Sequence, residues 1–267
     1  MTDSTTKAII LAAGTGSRLR PYTDDRTKVM VELFGRPILD YQLDVFQEHG
    51  IDDVTIVTGH APDSIPDGPY RKVHNERYAE SNMVESLFMA RDVLSSGEDV
   101  VVAYGDIVFE SGVLKTVLSQ DAQATVAVDK NWYPYWSLRM ENPLSDAETL
   151  KLDKESNIIE IGKTPTSREE IEGQYIGLIC FKKELARRLN KIHEEMDSSA
   201  TYDGQTIENL YMTSFLQYLI DKDYEVRAGF IENGWLEIDT CEDLETYHSL
   251  NSSGEIDQFY ETSKSQT

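Results

Sequence analysis

The chain has 267 residues, of which 40% are hydrophobic and 27% charged, a balance typical of globular proteins that excludes collagen-like, disulfide-scaffold and mostly disordered chains. Lys and Arg number 25 against 48 Asp and Glu, giving a formal net charge of −23, so the surface is expected to repel nucleic acid and anionic membranes. The chain lacks the run of ~18–20 apolar residues that a membrane span needs and the layout of a signal peptide. Its two cysteines are far apart in sequence, which is typical of a protein in a reducing compartment. We therefore expect a cytoplasmic protein without membrane or nucleic-acid partners.

The first half of the chain alternates strand-like and helix-like segments. The predicted strands are Lys7–Ala12, Val54–Val57, Val100–Tyr104 and Ala124–Val128. The predicted helices are a segment from Pro37 to Gly50, Met83–Leu94 with Asn82 as its N-cap, and Glu110–Leu118. Short connections between them favour a mostly parallel sheet covered on both faces, which is a Rossmann-like, doubly wound α/β fold.

After Asp129 the pattern changes. An aromatic run and a long polar stretch predict a small cap insertion at about 130–175, over the carboxyl-terminal edge of the sheet. Further strands are predicted at Ile158–Ile161, Tyr175–Phe181, Val226–Ile231 and Trp235–Ile238, and helices at Glu184–Met196, at about 207–219 and at Cys241–Leu250. No repeat or linker divides the chain, so we expect one domain over 1–255, with a polar tail at 256–267 and fraying from Asn251 onward.

A glycine turn follows the first strand. Leu19 stands where a dinucleotide fingerprint needs its third glycine, and Ser17-Arg18 follows Gly16 where a P-loop needs lysine. What remains is a loop in which Gly14 and Gly16 let backbone N–H groups turn toward an anion. Arg18 would be a bidentate phosphate ligand and Lys28 a mobile positive charge. A plain strand-to-helix turn would also explain the glycines, but the two cations favour phosphate binding.

Two aspartates each follow a predicted strand. Asp106 comes after Val100–Tyr104 and Asp239 after Trp235–Ile238, and ligands of doubly wound sheets bind at such strand ends. Together their carboxylates suit Mg²⁺, which prefers oxygen ligands and bridges substrate phosphates. Either aspartate alone could instead be a helix N-cap, and Asp239 directly precedes a predicted helix. Glu237, on the same strand face as Asp239, is a weaker candidate beside the metal.

The segment from Leu11 to Pro21, followed by Thr27-Lys28, resembles the signature of the nucleotidyltransferases that couple a nucleoside triphosphate to a phosphorylated acceptor. The resemblance continues through Gly105-Asp106, Tyr175–Leu178 and Trp235–Asp239. It implies that Arg18 and Lys28 are catalytic and that Asp106 and Asp239 hold Mg²⁺. The nucleotide-binding set that it implies is Leu11, Ala12, Ala13, Gly14, Thr15, Gly16, Ser17, Gly59, Asn82, Met83, Ser86 and Tyr104.

Asn75–Leu87 resembles the Asn-rich stretch of the cytidylyltransferase branch, which implies CTP as substrate. Val128–Trp132 with Trp136-Ser137, Asn142–Leu150 and Asn209–Leu216 resemble the branch that acts on phosphoglutamine in capsular phosphoramidate synthesis, which implies CDP-glutamine as product. The alternatives are a phosphocholine or 2-aminoethylphosphonate cytidylyltransferase, a sugar-1-phosphate nucleotidyltransferase and a non-catalytic nucleotide-binding regulatory domain. A homodimer is an open possibility.

The acceptor pocket is predicted from its chemistry. The candidate acceptor-binding residues are Asp129, Lys130, Trp136, Lys163 and Glu208. The aromatic run Trp132–Trp136 has two interpretations: a cage for a cationic ammonium, or an apolar underside that docks the insertion onto the sheet. We favour docking for most of the run.

Overall fold

The computed structural model describes residues 5–262. Its strands are β1 (Thr6–Ala12), β2 (Glu32–Leu33), β3 (Arg36–Pro37), β4 (Asp53–Thr58), β5 (Arg71–His74), β6 (Asp99–Tyr104), β7 (Ile107–Phe109), β8 (Ala124–Asp129), β9 (Leu150–Leu152), β10 (Ile158–Ile161), β11 (Gln174–Phe181), β12 (Val226–Ile231) and β13 (Trp235–Glu237). Its α-helices are α1 (Ile38–Glu48), α2 (Met83–Met89), α3 (Arg91–Leu94), α4 (Ser111–Leu118), α5 (Trp132–Arg139), α6 (Lys183–Glu194), α7 (Met212–Asp221) and α8 (Cys241–Ser253).

The centre of the molecule is a seven-stranded sheet with the strand order β12-β8-β11-β6-β1-β4-β5. β11 runs antiparallel to both of its neighbours, and the other pairs are parallel. Successive residues of β1 enter different cores, because Ala8 and Ile10 pack on one face of the sheet and Ile9 on the other. The predicted mostly parallel sheet with helices on both faces is therefore confirmed.

Two short antiparallel strands lie beyond the carboxyl end of β6. β7 pairs with β13, and the N–H of Ile238 donates to the carbonyl oxygen of Asp106 at 2.8 Å. This pairing joins segments more than a hundred residues apart in sequence. It brings Asp106 and Asp239 to one edge of the central sheet.

The predicted insertion at 130–175 divides between the two faces of the sheet. Its aromatic run forms α5, which packs against α8 and buries Trp132, Tyr135 and Trp136 in one core. Its hairpin β9–β10 packs against α7 on the opposite face. The predicted docking of the aromatic run onto the body of the protein is thus what the structure shows for these buried rings.

Three local predictions are wrong. The helix expected at about 207–219 begins only at Met212, because Leu210 and Tyr211 are extended and separate it from a 3₁₀ turn at Ile207–Asn209. The helix expected over Met83–Leu94 breaks at Ala90, whose φ of −98° and ψ of 37° are not helical, into α2 and α3. The chain was also expected to fray after Asn251, but α8 continues to Ser253 and the rings of Phe259 and Tyr260 are buried. These apolar side chains anchor the segment up to residue 262, and the rest of the predicted tail lies outside the described residues. Between residues 5 and 262 no helix is long and apolar enough to cross a membrane.

Candidate active site

An open cleft with about 680 Å³ of empty space lies where β1 and β6 end side by side. Its lining residues are Leu11, Ala12, Ala13, Gly14, Gly16, Lys28, Tyr78, Ser81, Asn82, Met83, Ser86, Tyr104, Gly105 and Asp106. We call it the nucleotide cleft. Of the predicted nucleotide-binding residues, Thr15 and Ser17 are exposed on the loop outside this lining, and Gly59 is buried beside it. A Cβ at Gly59 would meet the carbonyl oxygen of Ala13 at 2.3 Å, so Gly59 permits close packing of the loop.

The glycine loop takes its shape from one left-handed residue. Gly16 has φ 59° and ψ 30°, and its carbonyl oxygen accepts a hydrogen bond of 2.7 Å from Thr23 Oγ1. A Cβ at Gly16 would lie 2.9 Å from the methyl carbon of Thr23. A short 3₁₀ turn, Ser17–Leu19, follows and buries Leu19. The loop is therefore anchored at Gly16 and at Leu19. Arg18 lies between these two residues and projects outward, with 67% of its side chain exposed.

The opposite wall of the nucleotide cleft is organised by a buried asparagine. Asn75 Nδ2 donates to the hydroxyls of Ser81 and Ser86, each at 3.1 Å, and Asn75 Oδ1 accepts from the N–H of Arg77 at 2.9 Å. Asn82 Oδ1 accepts from the N–H of Met83 at 2.8 Å, which confirms its prediction as the N-cap of α2. Asn82 also lines the cleft, so it can cap α2 and face a ligand at the same time.

Four charged side chains meet at the mouth of the nucleotide cleft. Lys28 Nζ lies 3.0 Å from Asp106 Oδ2 and 2.7 Å from Asp239 Oδ1. Arg18 Nη1 lies 2.6 Å from Asp239 Oδ2. The structure thus brings together the predicted catalytic cations and the predicted metal-binding carboxylates, although Arg18 and Asp239 are 221 positions apart in the sequence.

The charge state of Lys28 depends on the two carboxylates that it contacts. Burial lowers the pKa of the Lys28 ammonium, but attraction to Asp106 and Asp239 and hydrogen bonds to both exceed that effect, so the pKa of Lys28 is raised. Lys28 therefore stays charged throughout the neutral range. It offsets the repulsion between two carboxylates that share one edge of the sheet.

The donor set of this edge fits Mg²⁺. Asp106 Oδ1 is buried without a hydrogen-bond partner among the described residues, and the Asp239 side chain is only 10% exposed. Over residues 5–262 no three His, Cys, Asp or Glu side chains are grouped to share a metal. Mg²⁺ does not need such a cage, because it is commonly held by one or two carboxylates together with substrate phosphates and water.

The backbone on either side of these aspartates is fixed by buried polar groups. Gln42 Nε2 donates to the carbonyl oxygens of Tyr104 at 2.7 Å and Ile107 at 2.6 Å, which holds the turn that carries Asp106. Asp243 Oδ2 accepts from the N–H of Asp239 at 2.9 Å. Neither predicted metal ligand is a helix N-cap, because α4 is preceded by Glu110 and α8 is capped by Thr240.

A second cavity adjoins the nucleotide cleft and shares Met83 and Tyr104 with it. Its full lining is Met83, Tyr104, Trp136, Asp146, Glu148, Gln174, Tyr175, Ile176, Gly177, Tyr211, Met212, Thr213, Trp235 and Glu237. Gly177 has φ 87°, and a Cβ there would meet the Tyr104 ring at 2.6 Å. The glycine thus lets the wall between the two cavities close on this ring.

Of the predicted acceptor-binding residues, only Trp136 lines the second cavity. Asp129 is fully buried and accepts from Trp235 Nε1 at 2.8 Å, so it supports the fold. Lys130 Nζ lies over the ring of Phe230, and Lys163 Nζ lies 2.6 Å from Glu160 Oε2 on the exposed surface. Glu208 accepts from the N–H of Asn82 at 3.0 Å through its backbone carbonyl oxygen. These four residues fit a ligand by chemical type, but they lie outside the lining of both cavities.

Sequence reasoning missed several residues that line the two cavities. Tyr78 and Ser81 belong to the Asn-rich stretch, and Asp146 and Glu148 belong to a stretch noted only for its resemblance. Thr213 faces the second cavity from the first turn of α7. They come from three separate segments of the chain, and only the folded chain brings them together.

Comparison with known proteins gives consistent matches. Residues 8–205 match the family of the MobA-like NTP transferase domain. The CTP:phosphoglutamine cytidylyltransferase of Campylobacter jejuni subsp. jejuni serotype O:2 is 39% identical over 247 residues, which cover 89% of this chain and 97% of that protein. A solved inositol-1-phosphate CTP transferase from T. maritima has a TM-score of 0.71 at 20% identity, covering 98% of this chain and 100% of that one. The solved CTP:phosphocholine cytidylyltransferase from Streptococcus pneumoniae has a TM-score of 0.63 at 20% identity, covering 93% and 99%.

Proposed function

Because the chain belongs to the family of MobA-like NTP transferases, we propose that it transfers CMP from CTP to a small phosphorylated acceptor and releases pyrophosphate. The acceptor that we propose is phosphoglutamine, and the product is then CDP-glutamine. The choice of nucleotide and acceptor is supported by similarity to the C. jejuni enzyme along nearly the whole of both chains. The observation that carries the proposal is the Arg18–Lys28–Asp106–Asp239 cluster at the mouth of the nucleotide cleft.

In the proposed reaction an oxygen of the acceptor phosphate attacks the α-phosphorus of CTP. The new O–P bond forms as the bond from the α-phosphorus to the bridging oxygen of the β-phosphate breaks, and pyrophosphate leaves with that electron pair. A phosphate anion is already nucleophilic, so the chain does not need a general base. Catalysis then rests on positioning and on neutralising charge as it develops.

The glycine loop and the two cations have distinct roles in this proposal. Gly14 and Gly16 give the loop backbone close access to the triphosphate. Arg18, on a largely exposed side chain, binds phosphate oxygens as a planar fork. Lys28, held more rigidly by its two carboxylate partners, supplies a fixed positive charge beside the reacting phosphorus.

Asp106 and Asp239 are the residues that would hold a divalent cation, which we propose to be Mg²⁺. When bound, such a cation would supply positive charge to the phosphate oxygens. The carboxylates themselves fix its place, because Gln42 holds the turn of Asp106 and Asp243 binds the backbone of Asp239. The rival hypothesis of a non-catalytic regulatory domain does not explain why both cations and both carboxylates are assembled.

The experiment is a matrix of substrates. Purified protein is incubated with Mg²⁺, with each of CTP, UTP, dTTP, ATP and GTP, and with phosphoglutamine, phosphocholine, 2-aminoethylphosphonate or glucose 1-phosphate, and pyrophosphate release is measured. We expect CTP with phosphoglutamine to give the highest kcat/KM. A higher kcat/KM with phosphocholine would favour the second candidate, which the aromatic rings of the second cavity also suit. No release above background in any combination would refute catalysis.

The remaining features of the protein are part of the same proposal. We propose a single catalytic domain over 1–255, with the segment at 130–175 as an insertion that supplies Trp136, Asp146 and Glu148 to the second cavity. We also propose that the enzyme works in the cytoplasm, where nucleoside triphosphates and Mg²⁺ are present together.

A further inference from the structure

The charged side chains that line the second cavity are all acidic. Its ionisable side chains other than tyrosine are Asp146, Glu148 and Glu237, and it includes no Lys or Arg. Glu237 is paired with Arg139, which is almost fully buried behind it. Among the described residues, neither Asp146 nor Glu148 forms an ion pair with Lys or Arg. The lining therefore includes two acidic side chains, Asp146 and Glu148, that no Lys or Arg of the described residues neutralises.

Glu148 is held in place at its backbone and at its side chain. Gln174 Nε2 donates to the carbonyl oxygen of Glu148 at 2.7 Å, and Gln174 Oε1 accepts from the N–H of Glu148 at 3.2 Å. Thr213 Oγ1 donates to Glu148 Oε1 at 3.2 Å. Gln174 is itself buried and the surrounding contacts come from β11 and α7. A carboxylate fixed in this way at a cavity wall is preorganised to receive a ligand.

Neighbouring groups suit the other parts of such an acceptor. Trp136 is buried, and its indole N–H, which has no hydrogen-bond partner among the described residues, can donate to a carbonyl or carboxylate oxygen. The cavity is also lined by the rings of Tyr175 and Tyr211, and aromatic faces attract cations. The hydroxyls of a neutral sugar could donate hydrogen bonds to Glu148 but would bring no opposite charge, whereas an ammonium group would both donate to it and pair with its charge.

We propose that Glu148 binds the ammonium group of the acceptor, so that the second cavity selects phosphorylated amines and amino acids over sugar phosphates. The inference rests on the proposed function, and it adds a residue that determines the substrate class. The shared wall of Met83 and Tyr104 places this subsite next to the nucleotide cleft. An acceptor can then have its ammonium at Glu148 while its phosphate faces the triphosphate.

The surroundings of Glu148 also give this subsite a dependence on pH. Burial raises the pKa of Glu148 to about 7, and nearby Asp146 and Asp203 raise it as well, while the hydrogen bond from Thr213 lowers it. The tyrosines facing it, Tyr104 and Tyr175, are neutral at this pH because burial raises the pKa of both hydroxyls. Below about pH 7 Glu148 takes up a proton and loses its attraction for an ammonium. Acceptor binding should therefore weaken as the pH falls from 8 to 6.

The test compares two substrates in two variants. The substrates are phosphoglutamine and its derivative acetylated on the α-amino group, which keeps the phosphate but lacks the positive charge. The variants are Glu148→Gln, which keeps the shape of the side chain, and Glu155→Gln, an exposed carboxylate on the β9–β10 turn, as the matched control. Kd values are measured by calorimetry, and KM and kcat by pyrophosphate release, from pH 6 to pH 8.

We expect acetylation to weaken binding to the wild-type protein and to the control at least tenfold. Glu148→Gln should weaken binding of phosphoglutamine by a similar factor and leave the KM for CTP unchanged. In this variant the Kd values of phosphoglutamine and its acetylated derivative should be nearly equal. The acceptor phosphate also titrates near pH 6, but it is the same in every variant. The part of the pH dependence that disappears in Glu148→Gln therefore belongs to Glu148.

The possible failures are distinguishable. Equal effects of acetylation in the wild-type protein and in Glu148→Gln would overturn the ammonium subsite while leaving the transferase proposal intact. Calorimetric binding that depends on Glu148, with no pyrophosphate released from any nucleotide, would support the subsite and refute the proposed reaction. If Glu148→Gln lowers thermal stability by several degrees, Asp146→Asn serves as the second variant, and an unchanged preference for the free amine in both variants would overturn the proposal.

Discussion

At the scale of single residues, Lys28 is the side chain that we propose as an electrostatic catalyst. Replacing it with Met keeps the bulk of the side chain and removes the charge that lies between Asp106 and Asp239. We expect kcat to fall by an amount equivalent to about 2–4 kcal/mol, as for loss of one preorganised stabilising group, with a smaller change in the KM for CTP. Steady-state kinetics with saturating acceptor would measure both.

Lys7→Met is a suitable control for this substitution. Lys7 also forms an ion pair with an aspartate, at 2.7 Å from Asp53 Oδ2, but it lies at the far end of β1 from the nucleotide cleft. Its loss should change kcat less than twofold, because exposed ion pairs contribute little. A Lys28→Met enzyme with normal kcat and a raised KM for CTP would make Lys28 a ground-state anchor only.

Asp106 is expected to be needed for the metal rather than for folding. Its Oδ1 is buried without a hydrogen-bond partner in residues 5–262, and its Oδ2 contacts Lys28. Asp106→Asn should lower kcat at least a hundredfold and raise the Mg²⁺ concentration needed for half-maximal rate, because an amide is a poorer ligand for a hard cation. The melting temperature should change little. Pyrophosphate release by this variant with the normal Mg²⁺ dependence would remove Asp106 from the mechanism.

At the scale of secondary-structure elements, the site depends on how α1 fixes the end of β6. In Gln42→Met the carbonyl oxygens of Tyr104 and Ile107 would lose their buried donor, at a cost of about 1–3 kcal/mol. We expect a lower melting temperature and a lower kcat with little change in the KM for CTP, since the turn carrying Asp106 would be less well placed. Gln47→Met, on the exposed side of the same helix, is the matched control and should match the wild type in both measurements.

The central strands and most helices were predictable because each has a strong local pattern. β1, β4, β6 and β8 are short apolar runs bounded by turn residues, and their burial on both faces follows from that composition. The break at Ala90 was not predictable, because its apolar neighbours continue the helical pattern. The ordered segment at Phe259–Tyr260 was also missed, since its surroundings in sequence are polar and only the core explains its burial.

At the scale of the whole molecule, the two cavities also differ in how much of their lining the sequence could predict. Much of the lining of the nucleotide cleft could be named from the sequence, because the glycine loop forms most of one wall within a single stretch. The second cavity draws on α2, β6, α5, the segment between α5 and β9, β11, α7 with its N-cap, and β13. β11 contributes four residues and each of the others one to three. Chemical type alone pointed to Asp129 and Lys163, but the first is buried as a structural acceptor and the second faces solvent. Sequence cannot supply that distinction without the packing.

The net charge of −23 should make the stability of the whole protein depend on salt. Repulsion among surface carboxylates opposes the compact state, and salt screens it, because the Debye length falls from about 30 Å at 0.01 M to about 10 Å at 0.1 M. The ion pairs of the surface are screened as well, but each contributes only ~0–1 kcal/mol. The net excess of acidic charge therefore dominates the balance.

We expect the melting temperature at pH 7.5 to rise between 10 mM and 500 mM NaCl by roughly 2–8 °C, which corresponds to a gain of about 1–2 kcal/mol. Tetramethylammonium chloride at the same ionic strengths should give a similar rise, because screening depends on charge and not on a particular cation. A melting temperature that falls steadily with salt would mean that attractive ion pairs, such as those around Lys28, outweigh the repulsion of the acidic surface. A rise with NaCl alone would indicate sodium binding to specific carboxylates instead of screening.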